Sequence, residues 1–219
     1  MVRHFCGCSL RCGLTFLTSS AIIQHIVRLS KGGRASVAYF YFDFQDDNKK
    51  HLHNLLPSLL VQFAARSVTH RDIISRFHLA HEEGRAQPGD KDLMDCLTDM
   101  LSASPEHPMY IIMDALDECP NSSGVRSPRG HVLSFIQELV ALRLRNLHIC
   151  ITSRPEIDIR NHLDSLTSLH ISLEDQTGHK EDIATYIKSE VDIIANIKRW
   201  QEDDRRLVIR TLSEKVDGM

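Results

Sequence analysis

Long apolar runs are missing from this sequence. No stretch approaches the roughly 18 to 20 consecutive apolar residues of a membrane span, and Arg11 interrupts the apolar stretch near the N-terminus, which argues against a signal peptide. An excess of one charge is missing too. The formal net charge is -3 and no basic stripe dominates, so neither a membrane nor a dedicated nucleic-acid surface is expected. Aromatic residues make up only 6%, yet hydrophobic residues reach 42% and charged ones 25%. That balance excludes long disorder, and 219 residues suffice for one good-sized core with a short extension. Internal repeats and low-complexity tracts are absent.

Cysteine is also sparse, with six in all. Cys96, Cys119 and Cys150 lie in apolar segments and read as small hydrophobes of a reduced, cytoplasmic protein. The cluster His4-Cys6-Cys8-Cys12 has zinc-like residue types. No second pair of matching spacing follows, so incidental thiols are the preferred reading.

What is present alternates between strand-like and helix-like segments. Residues 35–44, 109–114 and 147–152 are short apolar runs suited to parallel strands covered on both faces, and 168–173 is a weaker one. Helical spacing joins Leu52, Leu55, Leu56, Leu59, Leu60 and Phe63, then Leu93, Leu97, Met100 and Leu101, then Val132, Phe135, Ile136, Leu139 and Val140. This order predicts an α/β fold, a parallel sheet flanked by helices. "QPGD" at 87–90 and "PNSSGVRSPRG" at 120–130 read as turns, the second as an exposed insertion of little information. Beyond about residue 178 only helical patterns remain: Ile183, Tyr186, Ile187, Val191, Ile194 and Ile197, then a helix over 202–215. The division expected is a core over 1–178 and the start of a helical extension over 179–219. The apolar face of that extension is expected to promote self-association.

Two stretches carry chemistry. In "MYIIMDALDEC", apolar residues deliver Asp114 to the carboxyl end of a strand, where open α/β sheets bind ligands. Ala115 permits a close turn, and Asp117 and Glu118 bring two further carboxylates. One well-placed carboxylate suffices for a nucleotide-bound magnesium, and another can orient or deprotonate water. The alternative is a solvated acidic turn. In "LHICITSRPEIDI", a buried strand ends in Thr152-Ser153-Arg154, and that arginine can reach a terminal phosphate. The alternative is a surface arginine paired with Glu156 or Asp158.

Upstream, "GCSLRCGLTFLTSSAIIQHI" at 7–26 reads as a phosphate-binding loop running into a helix. Its part "GLTFLTSSAIIQHI", from Gly13, together with "ASVAYFYFD", "MYIIMDALDEC", "ICITSRPEIDIRNHL" and "HKEDIATYIKSEV", resembles the NACHT module of the STAND class of P-loop NTPases, in its fungal and nephrocystin-like branch. The resemblance implies a P-loop NTPase sheet binding ATP or GTP with Mg2+. It implies that Asp114 and Thr15 hold the metal, that Gly13 is the last loop glycine, and that Asp117 and Glu118 form the acidic pair, Glu118 positioning water. Arg154 matches the arginine that senses the terminal phosphate. Family members continue into further helical and repeat domains, which would be partners of this module.

The departures lie at the beginning. In G-x-x-x-x-G-K-[ST] the first glycine falls at Cys8 and the lysine at Leu14. Arg11 stands where the family has a small residue and can replace the lost cation only in part. The feeding strand is reduced to "MVRHFC". A nucleotide-binding signalling module with impaired or lost hydrolysis is therefore expected, with a non-catalytic scaffold as the alternative. The chain is also expected to be incomplete at both ends.

Overall fold

The computed structural model describes residues 5–9, 23–24, 27–28, 35–103, 105–121, 127–172, 191 and 202–216. The chain divides into two compact units, Met1–Ile171 and Ser172–Met219. The strands are β1 (Phe5–Ser9), β2 (Ser36–Tyr41), β3 (Met109–Asp114), β4 (Leu147–Ser153) and β5 (Leu169–Ser172). The helices are α1 (Leu52–Ala64), α2 (Val68–Ala80), α3 (Asp90–Ala103), α4 (Pro128–Ala141), α5 (Ile157–Leu163) and α6 (Glu202–Val216).

The sheet order is β2-β3-β4-β1-β5. Pairings of β2 with β3, β3 with β4 and β4 with β1 are all parallel. Parallel neighbours require crossovers, and helices α1 to α4 occupy those between β2, β3 and β4. The expected α/β fold, a parallel sheet flanked by helices, is the one observed. Because side chains alternate along a strand, each run feeds two cores. Ala38 and Phe40, Met109, Ile111 and Met113, and Leu147, Ile149 and Ile151 enter the larger one with α1, α3 and α4. Val37 and Ile112 meet Ile23 and Val27 on the opposite face.

The helical stripes bury as their spacing predicts. Leu55, Leu56 and Leu59 of α1 are wholly inaccessible, as are Leu97, Met100 and Leu101 of α3. Each such side chain stabilises the fold by roughly 1.5–3 kcal/mol. Helix α3 starts at the expected "QPGD" turn, where the Gly89 N–H donates to Asp92 Oδ2 at 2.9 Å. That is one half of a reciprocal cap, with Asp90 and Asp92 in the first turn where the helix dipole favours them.

Several boundaries differ from expectation. Strand β2 stops at Tyr41 rather than 44, because Asp43 and Asp46 accept the N–H groups of Gln45 and Asn48, both at 2.9 Å, and turn the chain. Helix α2 escapes the periodicity reading since it buries only His70 and Ile73. Helix α5 escapes because it has only 7 residues. Strand β1 runs through Ser9, pairing Cys8 with Thr152 and Ser9 with Ser153. Positions expected to open the phosphate loop are thus extended, as suits Cys and Ser where a glycine would free the backbone.

In the second unit α6 realises the helix expected over 202–215. Glu202 pairs with Arg205 and Arg206, both at 3.4 Å, and Leu207 is exposed. The boundary at 178/179 and most of the preceding stripe lie outside the described residues. Among the described residues, no helix is long and apolar enough to cross a membrane.

Candidate functional site at the carboxyl edge of the sheet

Since β3, β4 and β1 are parallel, their carboxyl ends share one edge. Asp114 is the last residue of β3 and is 3% exposed. Thr152, near the end of β4, is wholly buried and donates its hydroxyl to Asp114 Oδ1. The same hydroxyl accepts the Ala115 N–H at 3.1 Å. A buried carboxylate needs such a donor, and Thr152 supplies it while locking the two strand ends together. Strand β1 ends beside Thr152 and Ser153, at this same edge.

Ala115 turns the chain with φ 55° and ψ 48°, in the left-handed region. A non-glycine there costs roughly 1–2 kcal/mol, and such strain clusters at functional sites. Glycine removes the Cβ penalty but gives back about 0.5–1 kcal/mol of chain entropy. Ala115→Gly is therefore expected to be neutral or stabilising by up to about 1 kcal/mol. Ala115→Val should be clearly destabilising, both read from urea midpoints at constant slope. A glycine variant less stable than the valine one would refute this account.

The 3-10 turn Leu116–Glu118 follows. Asp117 points inward, its side chain only 9% exposed, and bonds the segment after β4. It accepts the Arg154 N–H at 3.0 Å and faces Arg154 Nε at 3.3 Å. Glu118 Oε2 accepts the Phe44 N–H at 3.3 Å. Arg154 is half exposed and directly follows β4. Phe44, Asp117, Glu118, Arg129, Arg154 and Glu156 line an open cleft of about 310 Å³.

Of the residues singled out from sequence, Asp114, Asp117, Glu118 and Arg154 thus meet at one edge. Gly13, Thr15, Arg11 and Leu14 lie outside the described residues. The alternative pairing of Arg154 with Glu156 or Asp158 is not the one found. Those carboxylates belong to Arg129, which pairs with Glu156 and sits 3.2 Å from Asp158. Among the described residues, no group of three His, Cys, Asp or Glu side chains is arranged to hold a metal ion. His4 and Cys12 of the N-terminal cluster are not described.

Arg129 and Thr152 are the site residues that sequence reasoning misses. The stretch 120–130 reads as exposed, yet Arg129 is 4% exposed and Ser127 is 3% exposed. Ser127 caps α4 by accepting the Gly130 N–H at 3.0 Å, with Pro128 in the first turn. Ser-Pro is a legible helix start. An arginine in the first turn opposes the helix dipole and demands nearby acids, which is the signal available in "SPRG" before "PEID". Besides the carboxylates, Arg129 donates Nε to Cys119 O at 2.8 Å and Nη2 to Asp117 O. Cys119 in turn donates Sγ–H to Lys50 O at 3.1 Å. Burial pushes its thiol up to about 12, against the opposite pull of Arg129.

The parallel sheet, with an acidic strand end beside a Thr-Ser-Arg strand end and the close of β1, defines a P-loop NTPase-like α/β domain. A family profile described as Nephrocystin 3, N-terminal matches residues 6–154, and the chain belongs to that family. No curated protein matches the sequence. Among solved structures, the Aeropyrum pernix ORC2 protein in ADPNP-ADP complexes aligns with TM-score 0.48 and 12% identity, over 87% of this chain and 45% of that one. Drosophila ORC bound to AT-rich DNA and Cdc6 aligns with TM-score 0.41 and 14% identity, over 98% of this chain and 75% of that one. The chain therefore spans less than half the length of the Aeropyrum pernix protein.

Proposed function

We propose that this domain is a NACHT/STAND-type nucleotide-binding signalling module whose hydrolysis is impaired or lost. The observation that carries the reading is the buried Asp114, oriented by Thr152 at the sheet edge where β1 ends. Hard oxygen donors suit magnesium, and Asp114 with the hydroxyl of Thr15 would hold it when ATP or GTP is bound. Gly13 and the helix N-terminus after it would meet the phosphates, with Arg11 as a partial substitute cation. Glu118 would orient water, and Asp117 would set the position of Arg154. The cytoplasmic setting rests on the reading of the cysteines, and helical and repeat domains as partners on the resemblance alone.

The weak point is Leu14. The missing lysine removes a charge-assisted hydrogen bond worth roughly 1.5–3 kcal/mol, about ten- to a hundredfold in affinity. Calorimetric titration with ADP, ATP and GTP in magnesium buffer tests this. Weak binding is expected for the natural chain, and Leu14→Lys should bind about tenfold more tightly or better. Absence of binding by both forms would overturn the nucleotide reading.

A second reading, a non-catalytic scaffold, draws on one specific observation. Arg154 is engaged by Asp117 through both its backbone and its guanidinium, so two residues expected to act on nucleotide already satisfy each other.

A further inference from the structure

We propose that Arg129 is the positioning residue of the carboxyl-edge cleft. One planar guanidinium spans the two segments that carry its polar groups. Nε and Nη2 take the carbonyls of Cys119 and Asp117, the residues on either side of Glu118. Nη1 takes the carboxylates of Glu156 and Asp158, just beyond Arg154. Asp158 is held further by Asn121 Nδ2 at 2.9 Å. The backbone around Glu118 is thus pinned on both sides, and the approach to Arg154 is pinned from behind.

The stem of Arg129 is itself fixed. It leaves the first turn of α4, a helix that buries Val132, Leu133, Phe135, Ile136 and Leu139. Side chains on rigid elements hold site geometry better than loop residues do. A lysine cannot replace this fork, because its ammonium is a point charge without planar bidentate geometry. No expected nucleotide-site position includes Arg129, and its functional consequence rests on the nucleotide reading above.

The test uses the full chain with Arg129→Lys and, separately, Glu156→Gln. Hydrogen exchange is followed without nucleotide, and Mg-ADP affinity is titrated in parallel. Both variants should exchange faster at 115–119 and 154–158 while amides of β2 and β3 keep their protection. Mg-ADP affinity should fall about fivefold or more. Should Arg129→Lys fail to fold, Glu156→Gln carries the same test, since its side chain is 42% exposed and its loss leaves the core intact. Unchanged exchange at both segments, unchanged affinity, or faster exchange throughout the sheet would each overturn the proposal. If the natural chain binds no Mg-ADP but the local exchange pattern holds, the nucleotide reading falls and the coupling of the two segments stands.

Discussion

Arg129→Met is expected to destabilise the first unit by about 3 kcal/mol, the lower end of the 3–5 kcal/mol typical of breaking a buried ion pair. Methionine fills the volume of the stem but removes this donor from two carbonyls and two carboxylates, of which Asp158 keeps Asn121. The side chains of Glu156 and Asp158 are 42% and 29% exposed, so water recovers part of their solvation. The carbonyls of Asp117 and Cys119 have less relief. Against a domain stability of roughly 5–15 kcal/mol, the loss should be plain in a urea titration. A double-mutant cycle adding Glu156→Gln should show less than additive damage, because the second change removes a group the first has stranded. A loss below about 1 kcal/mol would mean that the pairing contributes little net stability.

Alkaline pH is expected to remove about 3 kcal/mol between pH 9 and 10.5 through two thiols alone. Cys119 is wholly buried and its pKa is raised to about 12, chiefly by desolvation. Cys96 is raised to about 11, by burial first and then by the charge of Asp99. Both folded values exceed the unfolded value near 9, so the unfolded chain releases these protons first. Their contribution is complete below pH 9 and is lost as pH climbs towards 11–12. Each thiol's loss steepens from about 0.7 kcal/mol per pH unit at pH 9 towards about 1.4 above pH 10. Comparing urea unfolding at both pH values for the natural chain and for Cys96→Ala with Cys119→Ser cancels the titration of lysines and tyrosines. Equal pH dependence in the two proteins would assign the alkaline loss to other groups.

The sheet is largely legible in the sequence because its strands are covered on both faces. "MYIIMD" and "LHICIT" are continuous apolar runs that need no alternation to be recognised, and both form strands. The helices with dense stripes are equally legible, whereas α2 offers too few buried residues to signal itself. At the site, Asp114, Asp117, Glu118 and Arg154 are visible because strand ends in parallel sheets attract chemistry. Which carboxylate meets which arginine is not visible. Glu156 is near Arg154 along the chain, whereas Asp117 is 37 residues away and arrives only through the pairing of β3 with β4, and the entry of Arg129 from α4 decides the partners.

Gln62 of α1 bears on what the edge strand β2 can pair with. Among the described residues, strand β2 ends the sheet order, and an edge strand is a template for intermolecular pairing. Ser36 and Phe42 turn their N–H groups inward, to Pro108 O at 2.9 Å and Asp114 O at 3.0 Å. With a two-residue period, Val37, Tyr39 and Tyr41 face outward. At Tyr39 the edge is occupied: Gln62 accepts the Tyr39 N–H at 3.1 Å and donates to its carbonyl at 2.8 Å. Ser58 holds the same amide at 3.1 Å. A side-chain amide thus imitates one residue of a neighbouring strand, and any incoming strand must first displace it at the centre of the edge. The helix that builds the core also serves as a guard against sheet-to-sheet aggregation.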